Sequence, residues 1–147
     1  MVVSQKCKYA LRAVFELALR SGARPVRIGE IAEVQAIPPK FLELILVELK
    51  RGGFVESRRG ARGGYLLRVA PAELTAGDII EFVDGPVMEA GCPAEPGQAD
   101  GSLHSGCVFE DLWSRASQAM AEVYAAANFQ DMVEKHRAKT NTANYYI

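Results

Sequence analysis

Two sets of residues in this chain could do chemistry. The first is its three cysteines, Cys7, Cys92 and Cys107, together with two histidines, His104 and His136. An odd cysteine count in a cytosolic chain argues against a structural disulfide framework. Metal binding and redox chemistry both stay open. Taken alone, His104 reads as an exposed loop histidine. His136 falls near the end of the last helix, where a cation suits the dipole, and reads as structural. No nucleophile–base constellation is visible, so an enzyme is not expected. The second set is cationic: Arg58, Arg59 and Arg62 follow Ser57 in the glycine-rich phrase SRRGARGGY. Arginines gathered on one glycine-rich tip suit phosphates or a minor groove.

That tip needs a scaffold, and the stretch from Pro38 to Tyr65, PPKFLELILVELKRGGFVESRRGARGGY, supplies one. Pro38 and Pro39 suit a first helical turn, where the missing N–H costs little. The helix over 39–51 buries Leu42, Ile45, Leu46 and Leu49, and Gly52-Gly53 stops it. Short β runs at 54–57 and 65–68 flank the glycines of a hairpin tip. Upstream, a short helix inside 26–35 and the tight turn Ala36-Ile37-Pro38 complete a helix-turn-helix. The first turn of the 39–51 helix would enter the major groove, with Lys40, Phe41, Glu43 and Leu44 as candidate readers. Lys40 can meet phosphate or guanine, Glu43 can accept from cytosine N4, and Leu44 suits a thymine methyl or a partner.

Charge distribution points the same way. Residues 1–68 hold thirteen Lys/Arg against six acids, a net +7, while the remainder holds four against twelve, a net −8. A split of this size suggests a polyanion partner for the first half. The 147 residues are enough for a core without disulfide staples. No apolar run approaches the roughly 18 residues of a membrane span. The N-terminal segment mixes charges with apolar residues and lacks a cleavage site, so a cytoplasmic protein is expected.

Around the reading edge, the first helix is predicted over 4–22, with Ser4 as N-cap and Gly22 as stop. Thr75 and Asp78 form a capping box that opens a helix through Val83. Residues 86–106 are rich in Pro, Gly and small polar residues with no period, as in a functional or disordered loop. One long helix is predicted from Cys107 to about Ala138. Its Phe109, Trp113, Ala116, Met120, Val123 and Ala127 make a coiled-coil-like seam suited to a second copy of the chain. The expected fold is thus mainly α with a small β-hairpin wing. A winged helix-turn-helix occupies 1–85, a cysteine-bearing loop 86–106, a dimerisation helix 107–138 and a tail 139–147. Two copies would bind double-stranded DNA at half-sites about one turn, ~34 Å, apart, which predicts a pseudo-palindromic operator.

The stretch from Ile28 to Leu67, above all SRRGARGGYLL, resembles the DNA-binding domain of the IscR/NsrR/CymR-type bacterial winged-helix transcription regulators. YALRAVFELAL and TAGDIIEFVDG fall in the family's order, so the resemblance spans roughly residues 4–135. It implies a homodimer whose final helix crosses between subunits, with DNA contacts at the positions of Lys40, Glu43, Ser57 and Arg59. It also implies a sensor: many members carry three cysteines in the loop and bind an iron–sulfur cluster. Here Cys92 and Cys107 match the first and last, while Gly101 stands where the middle cysteine is expected. A fourth ligand in one branch is a histidine at the position of Glu110. Positions that other branches use on the partner's first helix are Lys8 and Arg12, which cannot ligate iron. What remains is Cys92 and Cys107, with His104, Glu110 or Cys7 as further ligands of a two-iron cluster. Two other outcomes stay open: a Cys92–Cys107 thiol–disulfide switch, and control by a docked partner enzyme, as in the cysteine-metabolism branch.

Overall fold

The computed structural model describes residues 3–22, 24–86 and 109–144. Its elements run α1 (Gln5–Leu19), α2 (Ile28–Gln35), α3 (Pro39–Arg51), β1 (Val55–Arg58), β2 (Gly64–Leu67), α4 (Ala76–Asp84), α5 (Glu110–Ala126) and α6 (Phe129–Asn144). The helix starts follow local chemistry. The Ser4 side chain accepts from the Cys7 N–H, and Thr75 and Asp78 exchange the two bonds of a capping box. Pro39 occupies the first turn of α3.

Helix α1 is the spine. Its Ala10, Ala13, Val14, Leu17 and Ala18 are buried, and it packs on α2, α3, α4, α6 and β2. Small side chains let several neighbours approach one helix on different sides. Helix α3 contributes Leu42, Ile45, Leu46 and Leu49 to the same core. The wing is an antiparallel pair in which Val55 faces Leu67 and Arg58 faces Gly64. The Val26 backbone exchanges two hydrogen bonds with Tyr65, of 2.9 and 2.8 Å, and so ties the wing root to the α1–α2 connector. This contact requires glycine at 64: φ is +151°, and a Cβ there would lie 2.5 Å from the Val26 carbonyl oxygen.

The predicted single helix over 107–138 is instead two helices. Helix α5 ends at Ala126 and α6 restarts at Phe129. Asn128 makes the break: its side-chain oxygen accepts from the Asp131 N–H at 2.8 Å, and its amide donates back to the Asp131 carboxylate. The chain between the helices also leaves the helical pattern to bond elsewhere. The Ala127 carbonyl accepts from Ala76 N–H, and Phe129 N–H donates to Leu74 O. The reward is burial of the Phe129 ring, which is 1% exposed. The expected seam therefore stops at this break. Along α5 the buried residue is Ser117, while Leu112, Trp113 and Val123, and Phe109 just before the helix, stand exposed. Helix α6 returns to α1: the His136 ring meets Phe15 edge-on at 5.4 Å, and Arg137 donates to the Leu19 carbonyl. His136 lies in the middle of α6 and not near a helix end, so it is this ring contact, and not the helix dipole, that gives it a structural role.

Gly64→Ala is expected to lower unfolding stability by about 1–3 kcal/mol, through strain and loss of the Val26 contact. Gly29→Ala, on an exposed helical position with nothing within 4 Å of its added Cβ, is expected to raise stability by up to about 1 kcal/mol. Urea unfolding of the two variants checks both signs.

Candidate nucleic-acid interface

Four apolar residues hold one side of α3 in the core, so helical geometry turns the other side outward. Lys40, Phe41, Glu43, Leu44 and Val47 are all exposed there. Leu44 reaches 64% exposure, high for a leucine that could have been placed inside. The Phe41 ring rests edge-on against Tyr9 of α1 at 5.7 Å, which fixes the start of α3 on the spine. Lys40 and Glu43 have no hydrogen-bond or ion-pair partner among the described residues. Their charges stand free for a ligand. Val47 was not among the sequence candidates, although its place one turn beyond Glu43 and Leu44 puts it on the same face.

The wing brings its cations to the same side of the fold as the end of α3. Lys50 Nζ donates to Ser57 Oγ at 2.6 Å, a bond between the last turn of α3 and β1. Arg58 is turned onto its own strand, where it meets Glu56 at 3.2 Å. Arg59 and Arg62 are exposed and unpaired among the described residues. The four wing residues thus differ: Arg59 and Arg62 are free, Arg58 is half-neutralised, and the Ser57 hydroxyl is already occupied by Lys50. At the tip, the Arg27 guanidinium donates to the Ala61 carbonyl at 2.7 Å. Sequence reasoning missed Lys50 and Arg27, because each acts across a contact that no local pattern encodes.

A polar network sets α2 against α1, just ahead of α3. Glu16 is buried at 1% exposure. Its carboxylate accepts from Arg20 Nε at 2.6 Å and from the Gln35 amide at 2.8 Å. Glu30 takes Arg24 at 2.6 Å, with Arg20 at 3.5 Å, and its other oxygen accepts from the Arg27 backbone N–H. The Arg24 hydrogen bond, then the Arg27 N–H, draw the Glu30 carboxyl down from 4.5 to about 2.

Cys92, His104 and Cys107 lie outside the described residues. Glu110 is exposed in the first turn of α5. Cys7 is fully buried, packed with Ala76 and Ile80 of α4. Burial, then the Asp84 charge and hydrogen bond, push its thiol up to about 11. That environment keeps the proton on sulfur, opposite to what a thiolate ligand needs. Among the described residues, no three His, Cys, Asp or Glu side chains converge on a metal-sized site.

Residues 3–135 match the Rrf2 family model, described as an iron-dependent transcriptional regulator. Along its whole length the chain is 31% identical to the HTH-type transcriptional regulator CymR of Bacillus subtilis, covering 100% of each protein. It is 33% identical to the HTH-type transcriptional regulator IscR of Escherichia coli, covering 82% of this chain and 72% of IscR. The solved structure of B. subtilis CymR, the global cysteine regulator, superposes with a TM-score of 0.77 at 31% identity, covering 92% of this chain and 98% of that one. T. potens IscR superposes with a TM-score of 0.75 at 29% identity, covering 92% and 88%. No helix among the described residues is long and apolar enough to cross a membrane.

Because Glu30 is held ionised in the fold, its contribution is full above its ordinary value of 4.5 and is lost as pH falls toward about 2. Glu30→Gln should therefore be less stable than wild type at neutral pH. The gap between their urea midpoints should narrow as pH drops through that window. A gap that stays constant in acid would show that the carboxylate charge is not its source.

Proposed function

The chain belongs to the Rrf2 family of transcriptional regulators, and we propose that it is a homodimeric repressor whose hold on a pseudo-palindromic operator depends on Cys92 and Cys107. Family membership makes it a DNA-binding regulator and not an enzyme. The observation that carries the DNA part of the proposal is the pairing of two uncommitted charge sets. Lys40 and Glu43 on α3 and Arg59 and Arg62 on the wing have no partners within the described chain.

In this reading the start of α3 enters the major groove. Lys40 meets phosphate or guanine, Glu43 accepts from cytosine N4, and Leu44 and Phe41 offer apolar contact to thymine methyls. Arg59 and Arg62 take the adjacent backbone or minor groove, with Ser57 and Arg58 at the wing's base. Dimerisation through α5 is supported by its exposed Leu112, Trp113 and Val123, since large apolar side chains spaced along one helix seek a partner surface. Two protomers so joined would present their α3 helices about one turn, ~34 Å, apart.

The sensor part rests on sequence position. The segment with Cys92 and Cys107 connects α4, which packs on the spine, to α5, which carries the exposed apolar residues. A chemical change between the two cysteines would therefore act between the reading unit and the dimer helix. An iron–sulfur cluster, two-iron in type, is one chemistry for the site, with His104 or Glu110 completing the thiolates. The missing middle cysteine at Gly101 favours a second: the two thiols release two protons and two electrons to an oxidant and form a disulfide.

Lys40→Ala and Arg59→Ala are each expected to weaken binding across DNA sequences and to reduce the salt slope by about 1. Glu43→Ala is expected to cost about 1–3 kcal/mol on the preferred site only. Binding that is indifferent to salt would refute the interface. For the sensor, protein purified without oxygen should absorb in the visible and lose that absorbance in Cys92→Ala if a cluster is held. Colourless, iron-free protein whose DNA affinity changes with a thiol oxidant, and not in Cys92→Ala, would assign the disulfide.

A further inference from the structure

We propose that Arg27 is a positioning residue for DNA binding: it anchors the wing tip and thereby sets Arg59 and Arg62 against the reading helix. The inference rests on the wing reading given above and adds what holds the wing in place. Arg27 sits at the N-cap of α2 with extended backbone, φ −71° and ψ 145°. Its backbone is fixed from both sides. Its own N–H donates to Glu30 at 3.0 Å, and the preceding Val26 is paired in both directions with Tyr65. From this fixed base its guanidinium reaches thirty-four residues along the chain to the Ala61 carbonyl, at 2.7 Å.

Ala61 lies between the two free arginines, in the phrase Arg59-Gly60-Ala61-Arg62. The tip is otherwise held by little. Gly63 N–H donates to Gly60 O at 2.9 Å, and Gly60 has φ +107°. A glycine-rich turn has more conformations to lose on binding than other sequences. A cation that grips the middle of that turn from the helix-turn-helix removes much of this freedom before DNA arrives. The bond also points the guanidinium at protein and not at a ligand. Arg27 is thus spent on geometry, while Arg59 and Arg62 keep their charges for phosphate.

A double-mutant cycle on the full-length chain tests this, using a mixed-sequence DNA duplex at low salt as probe. Such a duplex reports the backbone contacts of the wing, which do not depend on base sequence. Arg27→Ala should weaken binding by about 3- to 10-fold, the range expected for one hydrogen bond. In a background of Arg59→Ala with Arg62→Ala, the same change should cost nothing further. Amide hydrogen exchange of the free protein should speed up across the wing and not in α1 or α3. That local pattern separates positioning from a general loss of fold. An equal loss in both backgrounds would overturn the proposal and make Arg27 a direct phosphate contact. Unchanged wing exchange in Arg27→Ala would also overturn it. If the double arginine variant itself binds like wild type, the wing reading fails, and this inference fails with it.

Discussion

A carboxyl group that is 1% exposed is costly to bury unless its oxygens find hydrogen-bond partners, and Glu16 is in that position. Arg20 and Gln35 are those partners. Leaving such a charge without a partner costs about 3–5 kcal/mol, a large part of the stability of a domain of this size. The requirement therefore acts as a geometric constraint. Gln35 is the last residue of α2, so satisfying Glu16 brings the end of α2 onto α1 just before the turn into α3. Arg20 extends the chain of charges to Glu30, and Glu30 holds Arg24 and the backbone of Arg27. One connected network thus runs from Glu16 on α1 to the end of α2 at Gln35 and to its start at Arg27.

A second set of contacts is organised by α4, which packs on α1 and α5. Near its end, the Phe82 ring meets Phe54 at 5.1 Å. The two rings close over Gly52, where a Cβ would come within 2.7 Å of Phe82. Two residues later Asp84 takes the Ser4 N–H at 2.8 Å and the Ser4 hydroxyl, above the buried Cys7. Helix α4 thus touches both the end of α3 and the beginning of the spine. It is also the last described element before the cysteine-bearing segment. A continuous packed route joins that departure point to the end of α3.

Features set by local chemistry were legible in the sequence. Ser4, Thr75 and Pro39 announce helix starts because capping depends on neighbours within a turn. The apolar period of α3 and the glycines of the wing likewise located α3 and the two wing strands to within a residue. The break at Asn128 was missed because the apolar spacing before it continues smoothly, and a heptad-like period outweighed one polar residue. The pattern Asn128-Phe-Gln-Asp131 is nonetheless a capping signal, and burial of Phe129 supplies the energy that favours it. Arg27 and Lys50 were beyond reach for a different reason. In sequence each is only a charge, and its partner is chosen by how α2, α3 and the wing come together. Cys7 shows the same limit: nothing next to it predicts that α4 will cover it and that Asp84 will hold its proton.

The two bonds between Ser4 and Asp84 have a practical consequence for anyone attaching something to this chain. They place the N-terminal end of α1 beside Gly85, where the polypeptide leaves toward the cysteines. The far end of α1, roughly 22 Å away for a helix of fifteen residues, is where Arg137 of α6 docks on Leu19. A purification tag, fluorophore or fusion partner joined at the N-terminus would crowd the point where the chain leaves α4. The same cargo joined after α6 would leave from the other pole of the spine. The geometry recommends the second choice, and it makes the first a deliberate means of loading the contact between Ser4 and Asp84.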